Sequence, residues 1–598
     1  MTITSLSSQG RRVTSDRSAL LTPALRETAR VETNRWIKRL RLVRYGAASM
    51  RERFSYRGGS LWWFTELYLH KMRRLESAVE TILALDHARA AGAAGFVVET
   101  RDEASRQAAA AFGVARGIPV SFEGVPSTPE AHRWPSALVG WTSRLSRLRP
   151  AGPRQPPVAR GGVAAFVHTA FWRTTEPEQE TYIGPVLDAI IARAGRDRVR
   201  FVGLGPRRNF RARRWWDPMT APDGPTLPIT AIERFAPASS IRGSIQLWQE
   251  RHHLADAVVD GGDIRDAASF SGCDLWPVLR HELRGVALIQ WPWSARSMDE
   301  AGAAIDALEP GVVVTYAEAG GWGRALMMEA RRRAVPSVGI QHGFIYRHWL
   351  NYQHEPDEMA PSGSDPGFPR PDRTLVYDDY AAAHLATAGS FPETSLVVTG
   401  SARLEMLTAK VVAMRAQRDE IRRRIHVSDQ QPLAVLAAKF SEVHAQLPAL
   451  IEAVSALANV KLVIKTHPAE TAELYGPAAA AARGVEVLPA SADLAEVTAA
   501  ADLIITMNST VAIDALGLGL PALVIGLPNN LSPFVEAGVM IGATGAAEIQ
   551  QALESVLYDR QVREALAERA GAFVARYGLA ARSGAADRAA NEILGTIT

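Results

Sequence analysis

A chain of 598 residues, 47% hydrophobic and 22% charged, is too long for one domain and too ordinary in composition to be disordered or fibrous. Its formal net charge is only +4, and no zinc-finger spacing or interleaved basic and aromatic pattern accompanies it, so no nucleic acid partner is expected. Cys273 is the one cysteine, which excludes an intrachain disulfide framework and a four-cysteine zinc site and fits a reducing, cytoplasmic location. The opening residues carry no apolar segment of signal-peptide length, and no stretch approaches the roughly 20 apolar residues of a membrane span.

Residues 1–60 read as a basic helical leader without an obvious strand. Between positions 35 and 53, Arg35, Lys38, Arg39, Arg41, Arg44, Arg51 and Arg53 stand against one acid, Glu52. Such a patch suits peripheral contact with an anionic inner-membrane surface, or is a solvated helical face. LWWFTELYLHKMRRLESAVETILALDHARA (61–90) repeats apolar residues every three and four positions without proline, which predicts one long helix or two stacked ones. GFVVET (95–100) predicts a buried strand, and the helix former after it sets up an α/β rhythm. Residues 125–162, rich in proline, serine and arginine, read as a surface excursion. Strands are expected again at VAAFVHT and RVRFVGLG, followed by RRNFRARRWWDP, an acceptor-facing loop or an exposed turn. GVVVTYAEAG (311–320), a helix and SVGIQHG (337–343) renew the rhythm.

Residues 351–372 hold five prolines and few apolar residues, the composition of an interdomain linker. Beyond it TLVYDD, SLVVTG, LAVLAA, KLVIKTHP, VEVLP, ADLIITMNS and PALVIG are short apolar runs separated by helical segments, as in a parallel sheet. The expected architecture is α/β, two Rossmann-like domains facing a cleft, with a helical N-terminal extension. Its parts are a leader (1–60), an N-terminal acceptor-side α/β domain (61–355), a linker (356–372), a C-terminal Rossmann-like domain (373–570) and a helical tail (571–598) that either caps this domain or crosses back to the first.

In open parallel sheets ligands sit beyond the carboxyl ends of the strands, so polar residues directly after apolar runs are the candidates. KLVIKTHP offers Lys465, His467 and Pro468 there, a mobile charge beside a shorter, more rigid donor. After ADLIITM, Asn508, Ser509 and Thr510 stand at a helix start, where hydroxyls, free amides and the helix dipole receive a phosphate, although Ser509 or Thr510 would serve equally as an ordinary N-cap. IQHGF offers Gln341, His342 and Gly343, and Glu318 ends the preceding strand ahead of a glycine-rich turn. No Walker A, HExxH or G-x-S-x-G pattern is present, and nothing in the sequence requires a metal or a bound cofactor.

QHG at 341–343, TGSARLE at 399–405, KTHP at 465–468 and NSTVAIDALGLGLPALVIG at 508–526 together resemble the GT-B glycosyltransferase superfamily. The likeness is to its bacterial surface-polysaccharide and sialyltransferase-like groups and to the glycerophosphotransferases of teichoic acid synthesis. The resemblance implies a nucleotide sugar as donor substrate, with its phosphates on His467, Pro468, Ser509 and Thr510. Gly400, Ser401, Lys465 and Asn508 would complete the nucleotide side, and Gln341 and Gly343 would meet the sugar. Met507 and Asn508 stand where the glycerophosphotransferases carry aspartate and tyrosine, which argues against a glycerol phosphate donor and leaves CMP-, UDP- or GDP-linked sugars. The implied reaction is an inverting transfer to a glycan or lipid-linked acceptor. Glu66, among Trp62, Trp63 and Phe64, is the first candidate for the base, or else lies on the wet face of a core aromatic stripe; Glu318 and His342 are the other catalytic candidates. A sugar-nucleotide epimerase and a non-catalytic nucleotide-binding scaffold are the rival readings.

Overall fold

Strands buried on both faces are the material of parallel sheets, and the chain builds two of them. The computed structural model describes residues 1–9, 11–124, 160–168, 171–173, 179–204 and 229–597, apart from 317, 346, 429, 458, 468, 469, 480 and 481. The excursion at 125–162 and the loop RRNFRARRWWDP lie mostly or wholly outside the described residues, as does Pro468.

The first 60 residues are not purely helical. β1 (Thr2–Ser7) and β2 (Arg12–Asp16) pair antiparallel and join β3 (Ala93–Glu99) and β4 (Val120–Glu123) in a four-stranded sheet of order β2-β1-β3-β4. Their apolar pattern is faint because the pair lies at the surface: of β1 and β2 only Ile3 is buried. The helices α1 (Pro23–Leu40) and α2 (Trp62–Met72) follow, and the expected 61–90 helix is two helices, broken at Arg73 with φ +54°. Trp62 and Trp63 on α2 are core residues.

The basic patch is largely internal. Lys38 on α1 is buried with its ammonium donating to Glu66 Oε2 (3.1 Å), Glu358 Oε1 (3.0 Å) and His354 Nδ1 (2.9 Å). Arg41 binds Asp357 at 2.7 Å and Arg51 binds Asp365 at 2.7 Å, leaving Arg35, Arg39, Arg44 and Arg53 exposed.

The seven-stranded sheet comprises β5 (Val163–His168), β6 (Val199–Leu204), β7 (Ile229–Ala231), β8 (Val312–Thr315), β9 (Ser337–Ile340), β10 (Arg373–Val376) and β11 (Leu396–Val398). All neighbours are parallel, in the order β7-β6-β5-β8-β9-β10-β11. Helices α3 (Gly184–Ala194), α4 (Trp291–Leu308) and α5 (Gly321–Arg332) lie among its strands in sequence. The runs at 373–376 and 396–398, expected in the C-terminal unit, are thus the last two strands of the first sheet. Parallel runs look alike whichever sheet they enter, because pairing is decided far away in the chain. The stretch 351–372 correspondingly joins two strands of one sheet, and its acids are polar for a reason internal to the fold: Asp357, Glu358 and Asp365 hold Arg41, Lys38 and Arg51.

After β11, α6 (Ala402–Arg415) leads to the six-stranded sheet of β12 (Leu433–Leu436), β13 (Lys461–Lys465), β14 (Val485–Leu488), β15 (Leu503–Thr506), β16 (Ala522–Ile525) and β17 (Ile541–Ala543). It is also all parallel, in the order β14-β13-β12-β15-β16-β17. Short helices α7 (Val511–Gly517) and α8 (Ser532–Glu536) follow β15 and β16. The last helix, α9 (Ala585–Leu594), crosses back: Ala585, Ala589, Ala590 and Ile593 pack into the core beneath β5, β8 and β9, and Arg373 binds Glu592 at 2.6 Å. The result is two Rossmann-like sheets flanking a cleft, a GT-B-like α/β arrangement with extra N-terminal helices and a small sheet. No helix among the described residues is long and apolar enough to cross a membrane.

Lys38→Met should take from the buried carboxylates of Glu66 and Glu358 the cation they share and destabilise the protein by about 3–5 kcal/mol, whereas Arg39→Met on the exposed side of α1 should change stability by no more than about 0.5 kcal/mol. Urea unfolding of both variants makes the comparison.

Candidate active site

The residues that follow strand ends decide which edges face each other. Arg403, on the helix after β11, donates to Asp514 Oδ1 of α7, after β15, at 2.6 Å. Phe344, after β9, packs on Phe534 of α8, after β16, with ring centroids 5.1 Å apart, and Arg347 binds Glu536 at 2.8 Å. Every one of these groups lies beyond a carboxyl end, so the two carboxyl edges meet across the cleft, the side on which open α/β sheets take ligands.

On the seven-stranded side His342 is seated between Tyr182 (5.4 Å between centroids) and Tyr316 (5.2 Å). Burial pushes its imidazole down to about 4, so it is neutral at pH 7. Gln341 is used to hold the edge together: its Nε2 donates to Gly343 O at 2.9 Å, and its Oε1 accepts from Tyr377 N at 2.8 Å. Gly343 has open space where a Cβ would stand. Glu318 follows β8 and is buried, and burial raises its carboxyl to about 7. Its Oε1 accepts from Tyr352 Oη at 3.3 Å and its Oε2 has no hydrogen-bond partner. Gly339 makes room for it, since a Cβ there would come within 3.3 Å of the Glu318 Cγ.

Glu66 stands elsewhere. Its side chain is 0% exposed, with Oε2 on Lys38 and Oε1 on Arg324 at 3.4 Å. The aromatic residues around it face the core, and both carboxylate oxygens are taken by cations. Glu66, His354 and Glu358 bring ligand atoms within 4.8 Å of one another, and the Lys38 ammonium already binds all three residues. His354, held well below the ordinary imidazole value by burial and then by Lys38, is neutral: its Nδ1 accepts from the ammonium and its Nε2 donates to Asn351 O at 2.9 Å.

On the six-stranded side His467 is half-buried after β13, its imidazole pushed down first by burial and then by Lys439. Lys465 is buried and spends its ammonium on Thr466 O (2.7 Å) and Ala490 O (3.2 Å), shaping the turn that carries His467. Asn508, Ser509 and Thr510 are half-buried at the start of α7. Asn508 Oδ1 accepts from Asn530 N at 3.2 Å and Ser509 Oγ accepts from Val511 N at 3.3 Å, while Thr510, the N-cap residue of α7, makes no side-chain capping bond. Gly400 and Glu405 meet the returning tail. Gly400 has φ +88°, and a Cβ there would lie 3.1 Å from Ala585 Cβ. Ser401 serves its own helix as the cap of α6, and Glu405 accepts from Gly584 N and Ala585 N at the start of α9.

Four groups at this edge escaped the sequence reading. Tyr316 Oη accepts from His168 N at 3.0 Å. Glu180, raised to about 7 by burial, accepts from Tyr182 N and Ile183 N. Asp378, raised to about 6 by burial, caps the helix after β10, and Arg403 spans the cleft. Tyr316 and Asp378 were findable, each within two residues of a strand end; Glu180 and Arg403 carry no such signal.

No family model matches the chain, and no curated protein matches it. Several solved structures are similar in part. A UDP-GlcNAc 2-epimerase from Neisseria meningitidis bound to UDP-GlcNAc is 11% identical over 73% of this chain and 99% of its own, with a TM-score of 0.42. The S. aureus MnaA–UDP complex is 18% identical over 50% and 80% of the two chains, with a TM-score of 0.36. The wall teichoic acid polymerase TagF is 10% identical over 79% and 98%, with a TM-score of 0.39. Likeness at this level is silent on activity.

Glu180 sets a pH dependence of stability. Its folded value, about 7, lies above its ordinary 4.5, so the folded state binds the extra proton between those values. Stability from this group is complete below about pH 4.5, falls as pH rises and is lost above about 7, a change on the order of 3 kcal/mol. Glu180→Gln should therefore gain on the parent as pH rises from 4.5 to 7 and hold that advantage at pH 8, read from denaturant midpoints across the range.

Proposed function

We propose that the protein binds a nucleotide-linked sugar in the cleft between its two parallel sheets and transfers the sugar to a glycan or lipid-linked acceptor, with inversion at the anomeric carbon. The observation that carries this reading is the division of labour between the facing edges. One edge holds a carboxyl matched to neutral pH, Glu318, and a neutral imidazole, His342. The other presents the donors His467, Ser509 and Thr510 beside strand ends. General-base catalysis works best with a group whose pKa lies near the working pH, and oriented donors stabilise the charge that develops on a leaving phosphate.

In this mechanism the Glu318 carboxylate takes the proton of the acceptor hydroxyl. The acceptor oxygen bonds to the anomeric carbon as the bond from that carbon to the nucleotide phosphate breaks. The electron pair leaves with the nucleotide, whose phosphate accepts from His467, Ser509 and Thr510. α7 has only seven residues, so side-chain donors contribute more than its dipole. Glu66, neutralised on both oxygens, has no part in the step.

Epimerisation of the bound sugar is a second reading, favoured by Glu180 and Asp378, raised to about 7 and about 6 on the edge that carries Glu318. It needs more than one acid or base around the sugar, and these carboxyl groups are the candidates for that role. A panel of nucleotide sugars separates the cases. Nucleotide released only with acceptor indicates transfer, an altered sugar still attached indicates epimerisation, and binding without turnover indicates a scaffold.

His467→Ala and Ser509→Ala should each weaken nucleotide binding about ten- to hundredfold with little change in melting temperature, since a charge-assisted bond is worth roughly 1.5–3 kcal/mol. Calorimetric titration with wild-type affinity in both variants would remove this site. Glu318→Gln should keep donor binding and abolish the acidic limb of the kcat/KM profile near pH 7, because the base must be ionised to act and activity rises as pH passes its pKa. A mutant profile like the parent's would move the base to another group.

A further inference from the structure

A second group of side chains lies at the carboxyl edge of the seven-stranded sheet, and the step above uses none of it. α4 runs directly into β8, so its start lies at the edge where α5 leaves that strand. There Trp293 and Trp322, both half-buried, meet edge to face with centroids 6.2 Å apart. One turn along α4, Arg296 is only 3% exposed. Its Nε donates to Glu300 Oε1 at 2.5 Å, and its Nη2 is buried without a hydrogen-bond partner. The turn Ile232–Phe235 after β7 packs against α4 and brings Glu233 near Glu300. Leaving a buried guanidinium N–H unused costs stability, on the order of 1–3 kcal/mol, so such a group calls for a role.

We propose that Trp293, Trp322, Arg296 and Glu233 form an acceptor subsite for a neutral, polyhydroxylated saccharide unit. The inference rests on the transfer reading above and names the class of acceptor it would take. Indole faces bury the apolar face of a pyranose ring. The free Nη2 donates to a ring hydroxyl, and the Glu233 carboxyl accepts from or donates to another. Charge selects against an anionic glycan, because Glu300 is paired with the Arg296 guanidinium and the Glu233 carboxyl lies near Glu300. The edge position puts the subsite on the side of the sheet that carries Glu318.

The test is calorimetric titration of the full chain with neutral oligosaccharides of glucose, galactose, mannose and N-acetylglucosamine and with an oligogalacturonate, alongside a nucleotide-sugar titration. The parent should bind at least one neutral oligosaccharide more tightly than the oligogalacturonate. Trp293→Leu, Trp322→Leu and Arg296→Lys should each weaken that binding about tenfold or more and leave nucleotide affinity within about twofold. Arg296→Lys keeps a cation against Glu300, and the tryptophan variants decide the matter if it does not fold. No oligosaccharide binding by the parent, preference for the oligogalacturonate, or parent-like affinity in both tryptophan variants overturns the proposal. A parent that binds oligosaccharide through these residues but no nucleotide sugar keeps the subsite and defeats the transfer reading instead.

Discussion

The buried ammonium of Lys38 is the interaction on which the N-terminal half depends. It ties α1 to α2 through Glu66 and to the segment before β10 through Glu358 and His354. Arg324 on α5 closes the network onto Glu66 and onto Asn351, at 2.6 Å. Charges this deep are tolerated only when each is paired and hydrogen-bonded, so the four elements hold one relative position or none. β8 and β9 flank α5 in the chain, and the same contacts that anchor the helical layer thereby steady the strand ends that carry Glu318 and His342.

From that anchored half the chain reaches the other sheet at a small number of places. Arg403 to Asp514 and Arg347 to Glu536 are polar, and the rings of Phe344, Tyr380, Phe534, Phe573 and Tyr577 are packed together. Two chain crossings, before β12 and before α9, complete the join, with Glu405 capping the returning helix. A junction built from side chains on both edges fixes which edges face, while the donors after β13 and β15 stay half-buried.

Much of this was legible in the sequence because parallel strands buried on both faces leave continuous apolar runs, and the polar residues after them mark the cleft. His342, His467 and Ser509 were singled out that way, and each does follow a strand end. Sheet membership was not legible: TLVYDD and SLVVTG look like any other runs, and only the pairing of β10 with β9 and of β11 with β10 assigns them to the first sheet. Composition misled at 351–372, where prolines and a lack of apolar residues suggested a linker but the acids answer buried cations of α1 and its surroundings. Glu66 misled in the same way, since a carboxylate among tryptophans looks like a sugar site until its partners, 28 and 258 residues away in the chain, are known. Lys465 and Gln341 occupy the expected edges but spend their polar atoms on backbone groups, a distinction that strand-end reasoning does not reach.

The central claim is that a nucleotide sugar is held between the two carboxyl edges. A crystal structure with the intact donor bound tests it most directly. The account predicts density for the nucleotide in the cleft, its phosphates within hydrogen-bonding reach of His467 and Ser509, directly or through one water, and its sugar turned toward Glu318 and His342. Density on the outer face of either sheet, out of reach of both His467 and Ser509, would contradict it.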